Sequence, residues 1–269
     1  MQQKRKGRKP LRIAQITDTH LYATPDGRLL GLNTRDCLEQ VLRLVRKDTT
    51  FDLVVASGDL AHDGSMSAYL GLREQVGQLG IPAYCLPGNH DEAGAIREYL
   101  DAGGFHCVRS HLAGGWQQVF LDSTVEGEDG GHLAEGELDA LSQALNAHPG
   151  LPTLVWLHHQ PVLMGSRWLD TMAVDNPDDF FAVIDRHSQV RAIAWGHVHQ
   201  AFDQRRNDVR LLSSPSTCLQ FLPASEDFAV DEIPPGYRWL ELHPDGKLQT
   251  GITRLEHIPG HIDLAASGY

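Results

Sequence analysis

Five short clusters in the 269-residue sequence carry side chains able to hold a metal ion or move a proton. They are Asp18-Thr19-His20, Gly58-Asp59, Gly88-Asn89-His90-Asp91, Trp156-Leu157-His158-His159 and Trp195-Gly196-His197-Val198-His199. In the first and last, a carboxylate or imidazole is followed two residues later by an imidazole. In extended chain such residues point to one face, so each pair can converge on one ion. Taken singly, each cluster has an ordinary explanation: Asp18 or Asp59 can cap a structural element, and a histidine can sit at the surface. Glycine at position 58 lets the backbone approach a bound group closely. Gly88 to Asp91 puts an amide, an imidazole and a carboxylate into one turn. His158 and His159 face opposite ways if they are still on a strand, so spacing leaves open which of them joins the others. The pooled carboxylate, imidazole and amide donors suit Mn, Fe, Zn or Co better than Ca or Mg alone. Two divalent ions bring about +4 against about −3 from Asp18, Asp59 and a bridging hydroxide, leaving roughly +1 to draw in a phosphodiester monoanion.

Each cluster follows a short apolar run: Leu11 to Thr17, Leu53 to Ser57, Ala83 to Leu86, Leu154 to Leu157 and Ile193 to Trp195, with a further run at Val119 to Leu121. Runs of this length read as buried strands. Between them, apolar residues recur at helical spacing: Leu38, Val41, Leu42 and Val45; Leu72, Val76 and Leu79; Leu138, Leu141 and Leu145; Phe180, Phe181 and Ile184. The alternation predicts an α/β protein, in which ligands gather beyond the carboxyl ends of the strands, where the clusters fall. After about Val209, strand-like runs near Leu211, Trp239 to Leu242 and Gly251 to Leu255 follow one another across turns, which predicts an antiparallel region. The other histidines, His62, His106, His111, His132, His148, His187, His243, His257 and His261, read as surface or loop residues.

The composition, 41% hydrophobic, supports a sizeable core, and the formal charge of −12 opposes binding to nucleic acid or an anionic membrane, so the ligand should be small. Residues 10–257 read as a single domain between a disordered basic tail, 1–9, and a loose C-terminal tail, 258–269. The basic start is not followed by the apolar stretch of a signal peptide, and no run is long enough to span a bilayer, so the expected location is cytoplasmic. Cys37, Cys85, Cys107 and Cys218 have no C-x-x-C spacing and are expected to be free thiols in a reducing compartment. Oligomeric state is not legible.

The ordered series D-x-H, G-D, G-N-H-D, H and G-H-x-H resembles the calcineurin-like metallophosphoesterase superfamily over residues 11 to about 200. The resemblance implies a sandwich of two β-sheets flanked by helices, with a dinuclear metal site at the strand C-terminal ends. It also implies that one metal takes Asp18, His20, Asp59 and His199. The other takes Asp59, Asn89, His158 and His197, with Asp59 bridging. Through this resemblance His158, not His159, is the ligand, and Fe and/or Mn are the expected metals, with Zn or Co as alternatives.

A finer similarity, to bacterial class III cyclic nucleotide phosphodiesterases, is carried by Asp26 to Thr34, Gly58 to Ser65, Ser214 to Phe221 and Pro235 to Arg238. It implies hydrolysis of 3',5'-cyclic AMP to 5'-AMP, which lowers the cyclic nucleotide signal. A hydroxide bridging the metals attacks phosphorus. His20, Asp59, Asn89, His90 and His199 then contact substrate, and His90, adjacent to the ligand Asn89, is the candidate general acid for the 3'-oxygen. Asp63 or Asp91 is expected to orient its ring. The alternatives are a broader phosphodiesterase for 2',3'-cyclic nucleotides or glycerophosphodiesters and, more distantly, a non-catalytic metal-binding scaffold.

Overall fold

The computed structural model describes residues 9–48 and 50–268. In chain order the elements are β1 (Leu11–Ile16), β2 (Arg28–Leu29), β3 (Leu32–Asn33), α1 (Thr34–Lys47), β4 (Leu53–Ser57), α2 (Met66–Gly77), β5 (Ala83–Leu86), α3 (Ala93–Leu100) and β6 (Phe105–His106). They continue with β7 (Ser110–Ala113), β8 (Trp116–Phe120), α4 (Glu135–Ala147), β9 (Thr153–Trp156), α5 (Arg167–Asp170), α6 (Pro177–Ile184) and β10 (Val190–Trp195). The remainder is β11 (Phe202–Arg206), β12 (Val209–Ser213), β13 (Gln220–Phe221), β14 (Val230–Asp231), β15 (Gly236–Leu242) and β16 (Leu248–Arg254).

Two six-stranded sheets form the centre, in the orders β16-β15-β1-β4-β5-β6 and β11-β12-β10-β9-β8-β7. In the first, β1, β4, β5 and β6 are parallel and β15 runs antiparallel to β1. In the second, β8, β9, β10 and β12 are parallel between antiparallel edges. The period of two along a strand explains the layering. Leu11, Ile13, Leu53 and Val55 meet Leu154, Trp156, Ala192 and Ala194 between the sheets. The alternate residues Ala14, Ile16, Val54 and Ala56 face away, into a cluster with Leu38, Val41 and Leu42 of α1 and Leu72 and Val76 of α2. Val155 and Ile193 do the same on the other side with Leu141, Leu145 and Phe180. The molecule is therefore the helix–sheet–sheet–helix sandwich expected from the sequence.

The strand runs at Leu53 and Ala83 match the observed elements, whereas β8 starts earlier than the apolar run at Val119. Gln117 and Gln118 mask it, because both are polar yet buried: Gln117 Nε2 donates to Ala144 O at 2.9 Å and Gln118 Oε1 accepts from Trp156 Nε1 at 2.8 Å. The region after Val209 is only partly antiparallel, since β12 lies parallel to β10 while β15 crosses back to complete the first sheet. Beyond β16 there is no further helix or strand among the described residues, yet Ile262 is buried and the Asp263 N–H donates to Leu30 O at 2.9 Å. The basic arm lies outside the described residues except for Lys9. Among the described residues, no helix is long and apolar enough to cross a membrane.

Candidate functional site

The C-terminal ends of β1, β4, β5, β9 and β10 meet at one edge of the sandwich, and the loops leaving them bring Asp18, His20, Asp59, Asn89, His158, His197 and His199 together. The loops after β1 and β4 stay paired past the strands: the Asp18 N–H donates to Gly58 O at 3.0 Å and the His20 N–H to Asp59 O at 2.9 Å. The two sheets are tied just beneath, where Gln15 Nε2 donates to Ser57 Oγ at 2.9 Å and to Trp195 O at 3.0 Å. Two glycines are dictated by crowding. A Cβ on Gly58, whose φ is +95°, would meet His158 Nδ1 at 2.2 Å, and one on Gly88 would meet Asp59 Oδ1 at 2.2 Å.

The donor atoms converge. Asp59 Oδ2 lies 3.3 Å from His158 Nε2 and 3.7 Å from His20 Nε2, and Asp18 Oδ1 lies 3.3 Å from His199 Nε2. His20 Nε2 and His199 Nε2 are 3.2 Å apart, and His197 Nδ1 is 3.0 Å from Asn89 Oδ1. The outer ring nitrogens fix which atoms face inward. His158 Nδ1 donates to Ser57 O at 2.9 Å and His199 Nδ1 to Leu219 O at 3.0 Å, so each leaves the lone pair of Nε2 toward the centre. Alternation also separates the two adjacent histidines. His158 continues the Leu154 and Trp156 side, between the sheets, while the His159 ring, also fully buried, pairs through Nδ1 with Ser123 Oγ at 2.8 Å, with ring nitrogens of His158, His159 and His197 lying within 4.8 Å of one another.

This constellation fits a cationic group. Asp18 and Asp59 are 0% and 1% exposed, and among the described residues their ion-pair partners are imidazoles, with no lysine or arginine. Two buried carboxylates so close together are costly without positive charge, and Asp18 Oδ2 is buried with no hydrogen-bond partner. The titration shifts express the same demand. Burial drives His20 and His197 well below the ordinary imidazole range. For His158 burial acts downward too, but neighbouring Asp59 outweighs it and pushes the ring up; against burial, His158 in turn holds Asp59 well below the carboxylate range. A divalent ion, or two, would replace that proton as the counter-charge.

Left-handed backbone is concentrated here. Asp18, His20, Asp59, His197 and His199 all have positive φ, between 44° and 62°, whereas only Leu30, Asn207 and Ala224 do so among the other non-glycine residues. Side chains with a Cβ rarely adopt this conformation, and its clustering is a mark of a functional site.

His90 lies beside the cluster with its N–H donating to Asp59 Oδ1 at 3.0 Å. Asp63 and Asp91, expected to orient its ring, are bonded elsewhere. Asp91 accepts from the backbone N–H groups of Leu60, Ala61 and Gly88 at 2.9 to 3.1 Å and so clamps the turn to the loop after β4; burial raises it to about 6. Asp63 accepts from Ala23 and Ser65. The His90 ring stacks on His62 at 4.6 Å and meets the His20 ring edge-on at 4.9 Å, and His62 Nδ1 lies 3.2 Å from His20 Nδ1. His62 is a loop residue, as expected, but a half-buried one that touches the cluster, and nothing in its local sequence signals this, because the contact depends on how two loops pair. The Ser214 to Phe221 stretch forms the wall behind the cluster: Ser216 Oγ donates to Asp18 O at 2.8 Å, and the Phe221 ring stacks on His199 at 4.2 Å. A cleft of about 310 Å³ opens over Asn89, His90 and His197, with Trp168, Met172 and Phe228 among its walls.

The profile of the calcineurin-like phosphoesterase family matches residues 11–201. The chain is 40% identical over 259 residues to the 3',5'-cyclic adenosine monophosphate phosphodiesterase CpdA of Pseudomonas aeruginosa, covering 96% of this chain and 94% of that one. It is 41% identical over 265 residues to the enzyme of the same name from Escherichia coli K12, with 98% and 96% covered. Among solved structures, a dimetal phosphatase from Danio rerio superposes with a TM-score of 0.62 at 14% identity, covering 90% of this chain and 98% of that one, which speaks for the fold alone.

Proposed function

The chain belongs to the calcineurin-like phosphoesterase family, and from that premise we propose that it hydrolyses 3',5'-cyclic AMP to 5'-AMP with two metal ions, lowering the cyclic nucleotide signal. The observation that carries the reaction class is the convergence of two buried carboxylates, four imidazoles and one amide oxygen with no lysine or arginine among them. The substrate assignment is supported by near full-length similarity to relatives named for that activity. In this reading Asp18, His20, Asp59 and His199 hold one ion, and Asp59, Asn89, His158 and His197 the other. Imidazole, carboxylate and amide donors suit Mn, Fe, Zn or Co, and among these the family resemblance favours Fe and Mn, with Zn or Co as alternatives. When bound, such ions supply Lewis acidity that makes water nucleophilic near neutral pH and offsets charge on the phosphoryl oxygens.

The chain's own residues do the rest. His90 stands next to Asn89 at the mouth of the cleft, where its imidazole delivers a proton to the 3'-oxygen as the bond from that oxygen to phosphorus breaks. Asp91 fixes the turn that carries His90, and the His62 ring backs it. His20, Asp59, Asn89, His90 and His199 border the space for the phosphate.

The test is a steady-state comparison of 3',5'-cyclic AMP, 3',5'-cyclic GMP, 2',3'-cyclic AMP and glycerophosphocholine, with metal analysis of the same preparation. The highest kcat/KM is expected for 3',5'-cyclic AMP; a higher value for the 2',3'-isomer or the glycerophosphodiester would replace this reading with a broader phosphodiesterase.

A second experiment separates the adjacent histidines. His158→Ala should remove close to one equivalent of metal and lower kcat/KM by more than about 100-fold, beyond the 10- to 100-fold typical of residues that only support a ligand. His159→Ala should keep its metal and lose about 1–3 kcal/mol of stability, since it removes the ring partner of the buried Ser123 hydroxyl and leaves that oxygen only the residue-159 N–H. Metal loss from His159→Ala with His158→Ala unaffected would reverse the assignment.

A further inference from the structure

Four cysteines without a sequence motif gave no sign of pairing, but the fold places two of them side by side. Cys85 lies in β5 and Cys107 directly follows β6, strands that run parallel with Ala83 opposite Phe105 and Tyr84 opposite His106. The next pair in that register is Cys85 and Cys107, with both side chains on the same face. Their sulfurs are 3.2 Å apart. Neighbouring strands are spaced about 4.8 Å apart, inside the roughly 4.4–6.8 Å between Cα atoms that a disulfide spans.

The surroundings favour reaction. Cys85 is 3% exposed and Cys107 is only partly buried, and both line a narrow surface crevice of about 60 Å³ together with Pro87, Ile96, Arg97 and Arg109. That is room for one or two molecules of water size, at about 30 Å³ each. Hydrogen bonding from Cys85, opposed by burial and helped by Arg97, lowers Cys107, while the same contact and burial raise Cys85. Cys107 is therefore the attacking sulfur and Cys85 the resolving one. The other two cysteines provide a contrast within the same molecule: Cys37 and Cys218 are also neighbours, but both are fully buried and no solvent reaches them.

We propose that Cys85 and Cys107 are a peroxide-sensitive modification site, a dithiol that closes to a disulfide between adjacent parallel strands and thereby displaces the turn carrying Asn89 and His90. The Cys107 thiol is oxidised by hydrogen peroxide to a sulfenic acid with release of one water. The Cys85 thiol then attacks that sulfur, a second water leaves, and the S–S bond forms; overall two thiols and one peroxide give one disulfide and two waters. Closing the sulfurs from 3.2 Å to about 2.05 Å draws β5 toward the segment after β6. Only Leu86 and Pro87 separate Cys85 from the Gly88–Asp91 turn, and that turn is clamped on its far side by Asp91. The displacement has little slack to absorb it.

The test treats the metal-loaded enzyme with hydrogen peroxide and follows intact mass, the peptide map without reductant, and kcat/KM for cyclic AMP. The expected result is a loss of two hydrogens, a single peptide pair joining Cys85 to Cys107, and a roughly tenfold fall in kcat/KM reversed by dithiothreitol, within the range a displacement of about 1 Å can cause. Cys107→Ser should resist both changes, which separates this site from oxidation of the metals. Cys85→Ser should accumulate a sulfenic acid on Cys107 that dimedone traps. Pairing of Cys37 with Cys218 instead, no disulfide at all, or an equal activity loss in Cys107→Ser would overturn the proposal. The mass and peptide arms hold whatever phosphodiester the enzyme prefers.

Discussion

Asp59→Asn is expected to empty both metal positions and to lower kcat/KM for cyclic AMP by more than about 10³-fold, a loss of roughly 4 kcal/mol of transition-state stabilisation. In the proposed assignment Asp59 is the shared ligand, its Oδ2 at 3.3 Å from His158 Nε2 and 3.7 Å from His20 Nε2, while Asp18 Oδ1 reaches His158 Nε2 at 4.0 Å. Asparagine is the substitution that isolates its charge. Asparagine tolerates the positive φ of 50° found here better than most residues do, and its amide oxygen can still accept from the His90 N–H. The fold should therefore survive while the shared negative charge disappears and an N–H₂ group faces the imidazoles. Metal analysis and a melting curve on the same sample give the readout. A folded variant that keeps two equivalents of metal and near-normal turnover would refute the shared-ligand assignment.

His90→Ala should cripple hydrolysis of cyclic AMP far more than that of bis(p-nitrophenyl) phosphate, with metal content intact. A ribose 3'-alkoxide is strongly basic and leaves only as it is protonated, whereas p-nitrophenolate departs unaided. General acid catalysis contributes about 10²- to 10⁴-fold, and only the cyclic nucleotide should forfeit it. The backbone N–H that anchors residue 90 to Asp59 is untouched by the substitution, so the turn is retained. The ratio of the two losses in kcat/KM is the informative number, because any binding defect common to both substrates cancels. Equal losses with both metals bound would mean that His90 serves phosphate binding or site geometry, not proton donation.

Much of this site is legible in the sequence because each cluster is local: a strand of four to six residues, a turn, and donors at fixed offsets. The seven donors meet because their strands end at the same edge, a consequence of topology that a sequence of strand–motif units already implies. What escaped notice depends on pairing between distant segments. His62 touches His20 only because the loops after β1 and β4 run together. Asp91 looked like a partner for its neighbour's ring, but its carboxylate reaches backbone amides 30 residues away. The β8 strand hid behind two glutamines buried in the core, and the Cys85–Cys107 contact exists only in the register of two strands 22 residues apart.

The left-handed backbone shared by Asp18, His20, Asp59, His197 and His199 bears on how such a protein ages in evolution. Each of these residues holds a conformation that costs roughly 1 kcal/mol or more relative to glycine, and glycine there would relax the chain. Activity and stability thus pull in opposite directions at the same five positions. A duplicate copy released from selection for catalysis would gain stability by discarding these side chains first, so its decay would begin at the centre of the site and leave the sandwich around it standing.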